Sequence, residues 1–161
     1  MMRRRSREVT DEREIRRILD ACKVIRLGLN DDGLVYLVPL NFGYCLEGGV
    51  LTFYLHGATE GRKLDILRKN NRVGFELDCD LELKPATGPC GYDYYYSSII
   101  GTGTVTILES PSEKAAALNI LMEHQAGKPV PVPEKATALV SVFQLDAAEF
   151  SVKQNLPSPV E

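Results

Sequence analysis

A histidine closes one apolar run and a basic pair opens the next. The stretch "LHGATEGRKLDIL" at residues 55–67 puts His56, Gly57, Ala58 and Gly61 directly before Arg62 and Lys63. Glycine costs stability in regular structure, so two in one short turn imply a tight bend or a close backbone approach. Free N–H groups at a helix start, with two cations beside them, would hold a phosphate monoester through charge-assisted bonds. A solvated basic helix start uses the same residues, and their spacing does not separate the two readings. His56 would set a polar aromatic ring beside the anion, with no evident metal partner. The other histidine, His124, is expected on the surface of a distant helix.

Two further segments could take part. In "VPLNFGY" at 38–44, Pro39 removes a ladder donor, which points to a strand edge or bulge. Backbone groups of Pro39, Leu40 and Asn41 would then be free to lie along a flat heterocycle, although an ordinary edge strand reads equally well. In "YDYYYSSII" at 92–100, the tyrosines could stack on an aromatic ligand or line a half-buried strand. Ser97 and Ser98 could donate to a phosphate or a ring carbonyl. Several familiar motifs are excluded. Gly57 and Gly61 stand one residue too close for a P-loop, and Leu64 occupies the hydroxyl position. "GTG" at 101–103 precedes a strand-like "TVTIL" instead of the helix a dinucleotide fingerprint needs.

The elements that must carry these residues are mostly strands. Asp11 with Glu14 opens a short helix through Ile15, Ile18, Leu19 and Cys22. Strands then read at 23–29, 34–46 and 50–56, separated by the turns "NDDG" and "EGG", which imply an antiparallel meander. A helix follows Gly61 and ends at "KNN", a fourth strand covers 72–80, and a loop spans roughly 84–91. The long strand at 92–108 has glycines at 101 and 103 where a barrel strand could bend. Ser110, Pro111 and Glu113 predict a capping box on a helix that stops at Gly127, and the last strand or strand pair runs over 138–154. The expected fold is mainly β: one domain over 1–161, a small β-barrel with peripheral helices.

Composition bounds the function. Hydrophobic content of 44%, charged content of 25% and a net charge of −3 fit a soluble globular chain and give no argument for nucleic acid or membrane binding. No apolar run reaches the length of a membrane span or follows "MMRRR" as a signal peptide would, so the expected location is cytoplasmic. The four cysteines form no C-x-x-C pair, and buried thiols are expected, with no metal site.

In order along the chain, "RRRSREVTDEREIRRILDACKVIRLGL", "YLVPLNFGY", "FYLHGATEGRKLDIL", "VGFELD" and "YSSIIGTG" resemble the nitroimidazole-resistance (Nim) branch of the pyridoxamine 5′-phosphate oxidase-like proteins, over about residues 3–155. The resemblance implies an FMN-binding split barrel with the cofactor at the interface of a homodimer. It implies that Arg62 and Lys63, with Gly57, Ala58 and Gly61 before them, hold the FMN phosphate. Pro39, Leu40 and Asn41 would follow the ring, Ser97 and Ser98 would face it, and His56 would stand beside cofactor and substrate as the catalytic residue, supplying a proton. The implied activity is NAD(P)H-dependent reduction of a nitroaromatic, 5-nitroimidazole-like or other small electron acceptor. A non-catalytic dimer that binds or senses flavin or haem, the latter through His56, is the alternative. The chain ends in "SVKQNLPSPVE", without the arginine-rich segment of authentic pyridoxamine phosphate oxidases, so vitamin B6 oxidation is not expected.

Overall fold

The computed structural model describes residues 5–156; the basic residues 1–4 and the tail 157–161 lie outside the described residues. Two tight hairpins start the sheet. Asp32 and Gly33 turn at φ 50° and 94° between β1 (Val24–Asp31) and β2 (Leu34–Glu47). Gly48 and Gly49 turn at φ 57° and 82° between β2 and β3 (Val50–Gly57). Paired positive φ values match the right-handed twist of the strands they join.

β4 (Arg72–Lys84), β5 (Asp93–Leu108) and β6 (Ser141–Asn155) complete a closed barrel in the order β1-β2-β3-β6-β5-β4, with every neighbouring pair antiparallel. The mainly β expectation holds. Alternation fills the barrel: β1 buries Ile25, Leu27 and Leu29 and turns the residues between them outward. Phe42, Phe53 and Phe75 meet edge to face across the interior, with centroids 5.4 and 5.2 Å apart. The β5–β6 register shifts between Thr102 and Gly103. There Gly101 and Gly103 lie against the carbonyls of Glu149 and Asp146, where no Cβ would fit. The bend expected at these glycines is thus a bulge.

Three helices pack outside. Asp11 caps α1 (Glu12–Ala21), its carboxylate accepting from the N–H groups of Arg13 and Glu14 at 2.8 and 3.2 Å. α2 (Arg62–Lys69) buries Leu64, Ile66 and Leu67. α3 (Pro111–Ala126) crosses β2 so closely that a Cβ on Gly43 would overlap the backbone of Leu121. Among the described residues no helix is long and apolar enough to cross a membrane.

Four expectations need correction. Ser110 makes no capping bond, because its hydroxyl pairs with that of Ser112 at 2.9 Å. The last strand is single and begins at Ser141; Glu134–Leu139 coil into a 3-10 turn before it. Of the cysteines only Cys22 is buried, while Cys45 and Cys79 are half-buried and Cys90 is exposed. His124 is half-buried between β2 and α3, stacked 4.7 Å from the Phe42 ring.

The contact at Gly43 makes a direct prediction. Gly43→Ala forces α3 away from β2 and should cost about 1–3 kcal/mol of unfolding free energy, as overpacking typically does. Urea denaturation measures it; unchanged stability would mean that α3 is not seated on this glycine.

Candidate functional site

β2 changes partner along its length. Residues 34–41 pair with β1, and residues 42–47 pair with β3. Phe42 and Leu55 form the last register pair between β2 and β3, and beyond it the strands part. A cleft of about 300 Å³ opens at that point, lined by Val24, Pro39, Leu40, Asn41 and His56. Two of the candidate segments are thus brought together at one cleft. Pro39 pairs with Arg26 on one side only and faces the parting on the other, where a missing N–H costs no ladder bond.

The turn after β3 brings Lys63 back against Gly57 and within charge range of His56, which lines this cleft. Gly61 sits at φ 121°, a conformation that needs glycine, and starts α2 without any side-chain cap. Gly57 has no Cβ to obstruct the Lys63 ammonium, which lies against it and over the Phe143 ring at 5.6 Å. Among the described residues Lys63 has no carboxylate partner. Burial lowers its pKa from the ordinary lysine value. Arg62 differs. Its guanidinium binds Asp31 Oδ2 through Nε and Nη2 at 3.0 and 2.8 Å and stacks 4.6 Å over the Tyr36 ring. Ala58 is exposed in the turn. The two cations read as equivalent in sequence are thus unequal: Arg62 is paired and Lys63 is available.

His56 is half-buried, and burial first, then the charge of Lys63, lowers its pKa below the usual histidine value. At neutral pH the ring is neutral. It can donate one N–H and accept at the other nitrogen, but it holds no spare proton.

Gln125 of α3, which sequence reasoning missed, fixes the cleft wall. Its amide donates to the carbonyls of Phe42 and Lys23 at 2.8 and 3.1 Å. Asn41 Nδ2 donates to the same Lys23 carbonyl and to Gln125 Oε1, both at 3.2 Å. His124 Nε2–H donates to the Cys22 carbonyl at 2.9 Å. Neither contact has a sequence signal, because α3 meets β2 only through the fold.

A larger groove of about 540 Å³ lies between α1, β2 and α3. Its cations and its tyrosine hydroxyl are already matched. Tyr44 Oη donates to Asp20 at 2.7 Å, Lys23 Nζ to the His124 carbonyl at 2.8 Å, and Arg16 to Glu12 at 2.7 Å. The smaller cleft, with its unmatched cation, is the stronger candidate.

Ser97 and Ser98 are not brought to it. Ser97 pairs with Gln154 at the far end of β6, whereas His56 pairs with Val142 at the near end. Ser97 is fully buried, and its hydroxyl donates to Asp80 Oδ2 at 2.5 Å. Arg17 clamps the same carboxylate at 2.7 and 3.3 Å and holds Asp80 below its ordinary carboxylate range. Ser97 therefore belongs to a structural network that ties α1 to β4. Ser98 sits half-buried between Asp78 and Lys153.

The family described as pyridoxamine 5′-phosphate oxidase matches residues 11–154. Among solved structures, a candidate 5-nitroimidazole antibiotic resistance protein from Bacteroides thetaiotaomicron is 28% identical, with a TM-score of 0.77 over 91% of this chain and 86% of that one. A flavocytochrome from Azotobacter vinelandii is 21% identical, with a TM-score of 0.77 over 100% and 75% of the two chains. An FAD and heme binding protein from Mycobacterium smegmatis is 18% identical, with a TM-score of 0.78 over 96% and 76%. The last two share the fold. No curated protein matches the chain.

Both histidines have pKa values lowered from 6.5, each chiefly by burial. The unfolded chain therefore binds their protons at a higher pH than the folded chain does, and stability must fall as pH drops through and below that value. The melting temperature should decline between about pH 7.5 and about pH 5.5. Changing both His56 and His124 to glutamine should remove most of that decline; an unaltered slope would assign it to other groups.

Proposed function

Because the chain belongs to the pyridoxamine 5′-phosphate oxidase family, we propose that it is an FMN-dependent reductase of small electron acceptors, nitroaromatics among them. The observation that carries this reading is the cleft where β2 and β3 part, with Lys63, which no carboxylate among the described residues pairs, close to its His56. The residues fit a flavin mononucleotide. Pro39, Leu40 and Asn41 offer a flat strand edge for a ring, and Lys63 offers one ammonium for one phosphate over a glycine that lets it approach. When bound, a flavin supplies hydride acceptance from a nicotinamide donor and delivery to the acceptor. The protein's part is positioning. Gln125 fixes Asn41, Gly61 and α2 fix Lys63, and neutral His56 offers the bound ring or the substrate an N–H. Candidacy of the Bacteroides relative for nitroimidazole resistance supports the choice of acceptor.

The reading includes a homodimer. Leu37, 67% exposed, lies beside the paired glycines Gly28 and Gly74, and Ile100, 55% exposed, follows on β5. Leu37 over the glycines of β1 and β4 makes an apolar surface with no cover of its own among the described residues, and on β5 Ile100 stands one row further on, opposite Glu76, as the edge of such an interface would. Ser98 alternates outward on the Ile100 side, so it would meet a ring only from the partner subunit.

An absorption spectrum of the purified protein, followed by titration with FMN, tests the reading. Flavin bands retained on the protein and turnover of NAD(P)H with a nitroimidazole support it. A Soret band would replace flavin with haem, and no binding would overturn it. Lys63→Ala should weaken FMN roughly tenfold to a hundredfold, the range of one charge-assisted bond, and leave riboflavin affinity unchanged. Arg62→Ala should weaken FMN less, since Asp31 already holds that side chain. Equal losses of FMN and riboflavin on Lys63→Ala would mean that Lys63 supports the fold and not a phosphate.

Leu37→Glu combined with Ile100→Glu should give a folded monomer by light scattering, with FMN no longer retained through gel filtration. A dimer surviving both charges would place the interface elsewhere.

A further inference from the structure

Two cysteines distant in sequence converge on one carbonyl. Cys22 caps the C-terminus of α1, and its backbone N–H donates to the Ile18 carbonyl at 3.1 Å. The Cys79 thiol donates to that same carbonyl from β4 at 3.9 Å. The junction is fixed from both sides. Cys79 begins the bulge in β4, and the next residue, Asp80, is held at φ 59° by its bonds to Arg17 and Ser97. Arg17 comes from α1, so helix and strand are already clamped at the residue beside Cys79. Neither thiol has a place in the cleft, and no motif in the sequence accounts for the pair.

From this convergence we propose that Cys22 and Cys79 form a reversible redox pair, oxidised by hydrogen peroxide to a disulfide that locks α1 onto β4. The roles follow from exposure. Cys79 is half-buried and meets the oxidant; Cys22, 2% exposed, is the resolving thiol. The nearness of the two thiols pushes Cys79 below the ordinary thiol range and Cys22 well above it. Of the other charges at the junction, Arg17 favours the Cys79 thiolate and Asp80 opposes it.

The chemistry balances in two steps. The Cys79 thiolate attacks one peroxide oxygen, the O–O bond breaks, and hydroxide leaves with a proton as water. The sulfenic acid formed is then attacked by the Cys22 sulfur, which gives up its proton as the S–O bond breaks and a second water leaves. The two thiols lose two protons and two electrons, and one peroxide becomes two waters. The crosslink would end one residue before Lys23, whose carbonyl holds Asn41 and Gln125 at the cleft wall. The proposal does not depend on which cofactor the cleft takes.

The test uses the full chain with Cys45→Ser and Cys90→Ser, which removes the two competing thiols. Folded protein is treated with hydrogen peroxide, alkylated after denaturation, digested and mapped by mass spectrometry. A Cys22–Cys79 linked peptide, reversed by dithiothreitol and formed faster in folded than in urea-unfolded protein, is the expected result. Adding Cys22→Ser should leave Cys79 as a sulfenic acid that dimedone captures. Both thiols remaining alkylatable, Cys79 over-oxidised while Cys22 stays free, or a link formed only in urea would each overturn the proposal.

Discussion

The change of partner along β2 is the constraint on which the site depends. A closed six-stranded ring gives every strand two neighbours, yet β2 is 14 residues long and its two neighbours cover different halves of it. Its first half is committed to β1 and its second half to β3, so an opening between β2 and β3 follows from the pairing itself. Phe42 marks the transition: its ring is fully buried against Phe53, while Asn41 beside it is exposed. One residue thus separates packed core from open cleft. Pro39 reinforces the division, because a strand that cannot donate there has nothing to gain from pairing on that side.

α3 keeps the opening from collapsing. The close seat of Leu121 on Gly43 anchors the helix over the paired half of β2. From that seat Gln125 reaches the carbonyls of Phe42 on β2 and of Lys23 at the start of β1, the β2 side of the parting. Backbone acceptors freed by divergence are therefore satisfied by a side chain from outside the barrel, as buried polar groups demand. The cleft stays open because its edges are already bonded.

Local chemistry was legible in the sequence, and so was the order of elements. "NDDG" and "EGG" announce hairpins because few residues adopt paired positive φ, and Gly61 announces a turn for the same reason. Asp11 reads as a cap and is one. What the sequence could not display were partnerships made across the fold. Arg62 and Lys63 look alike as neighbours, but Asp31, which neutralises one of them, is 31 residues away. Ser97 looked free to donate until Asp80 and Arg17 closed around it, and His124 looked exposed until Phe42 and Tyr44 stacked against it. Gly43 was quoted within a motif, yet its role is a clearance for a helix 78 residues further on. Spacing encodes turns and faces; it does not encode which distant charge answers which.

That asymmetry between the two cations carries the electrostatic argument. A lysine withdrawn from water loses solvation, and a carboxylate partner is the usual compensation. Arg62, the more exposed of the two, has such a partner, whereas Lys63, the more buried, has none among the described residues. Packing alone would favour the opposite assignment, with the acid beside the buried charge. The Phe143 ring face offers Lys63 some attraction, but a cation–π contact at 5.6 Å contributes only about 0.5–1 kcal/mol at a partly exposed site. Neutral His56 next to it adds no negative charge and is itself kept neutral chiefly by burial and then by the same ammonium. The proposed phosphate would supply the missing partner: an unpaired cation beside His56, itself a lining residue of the cleft, is the kind of perturbed group that binding sites hold.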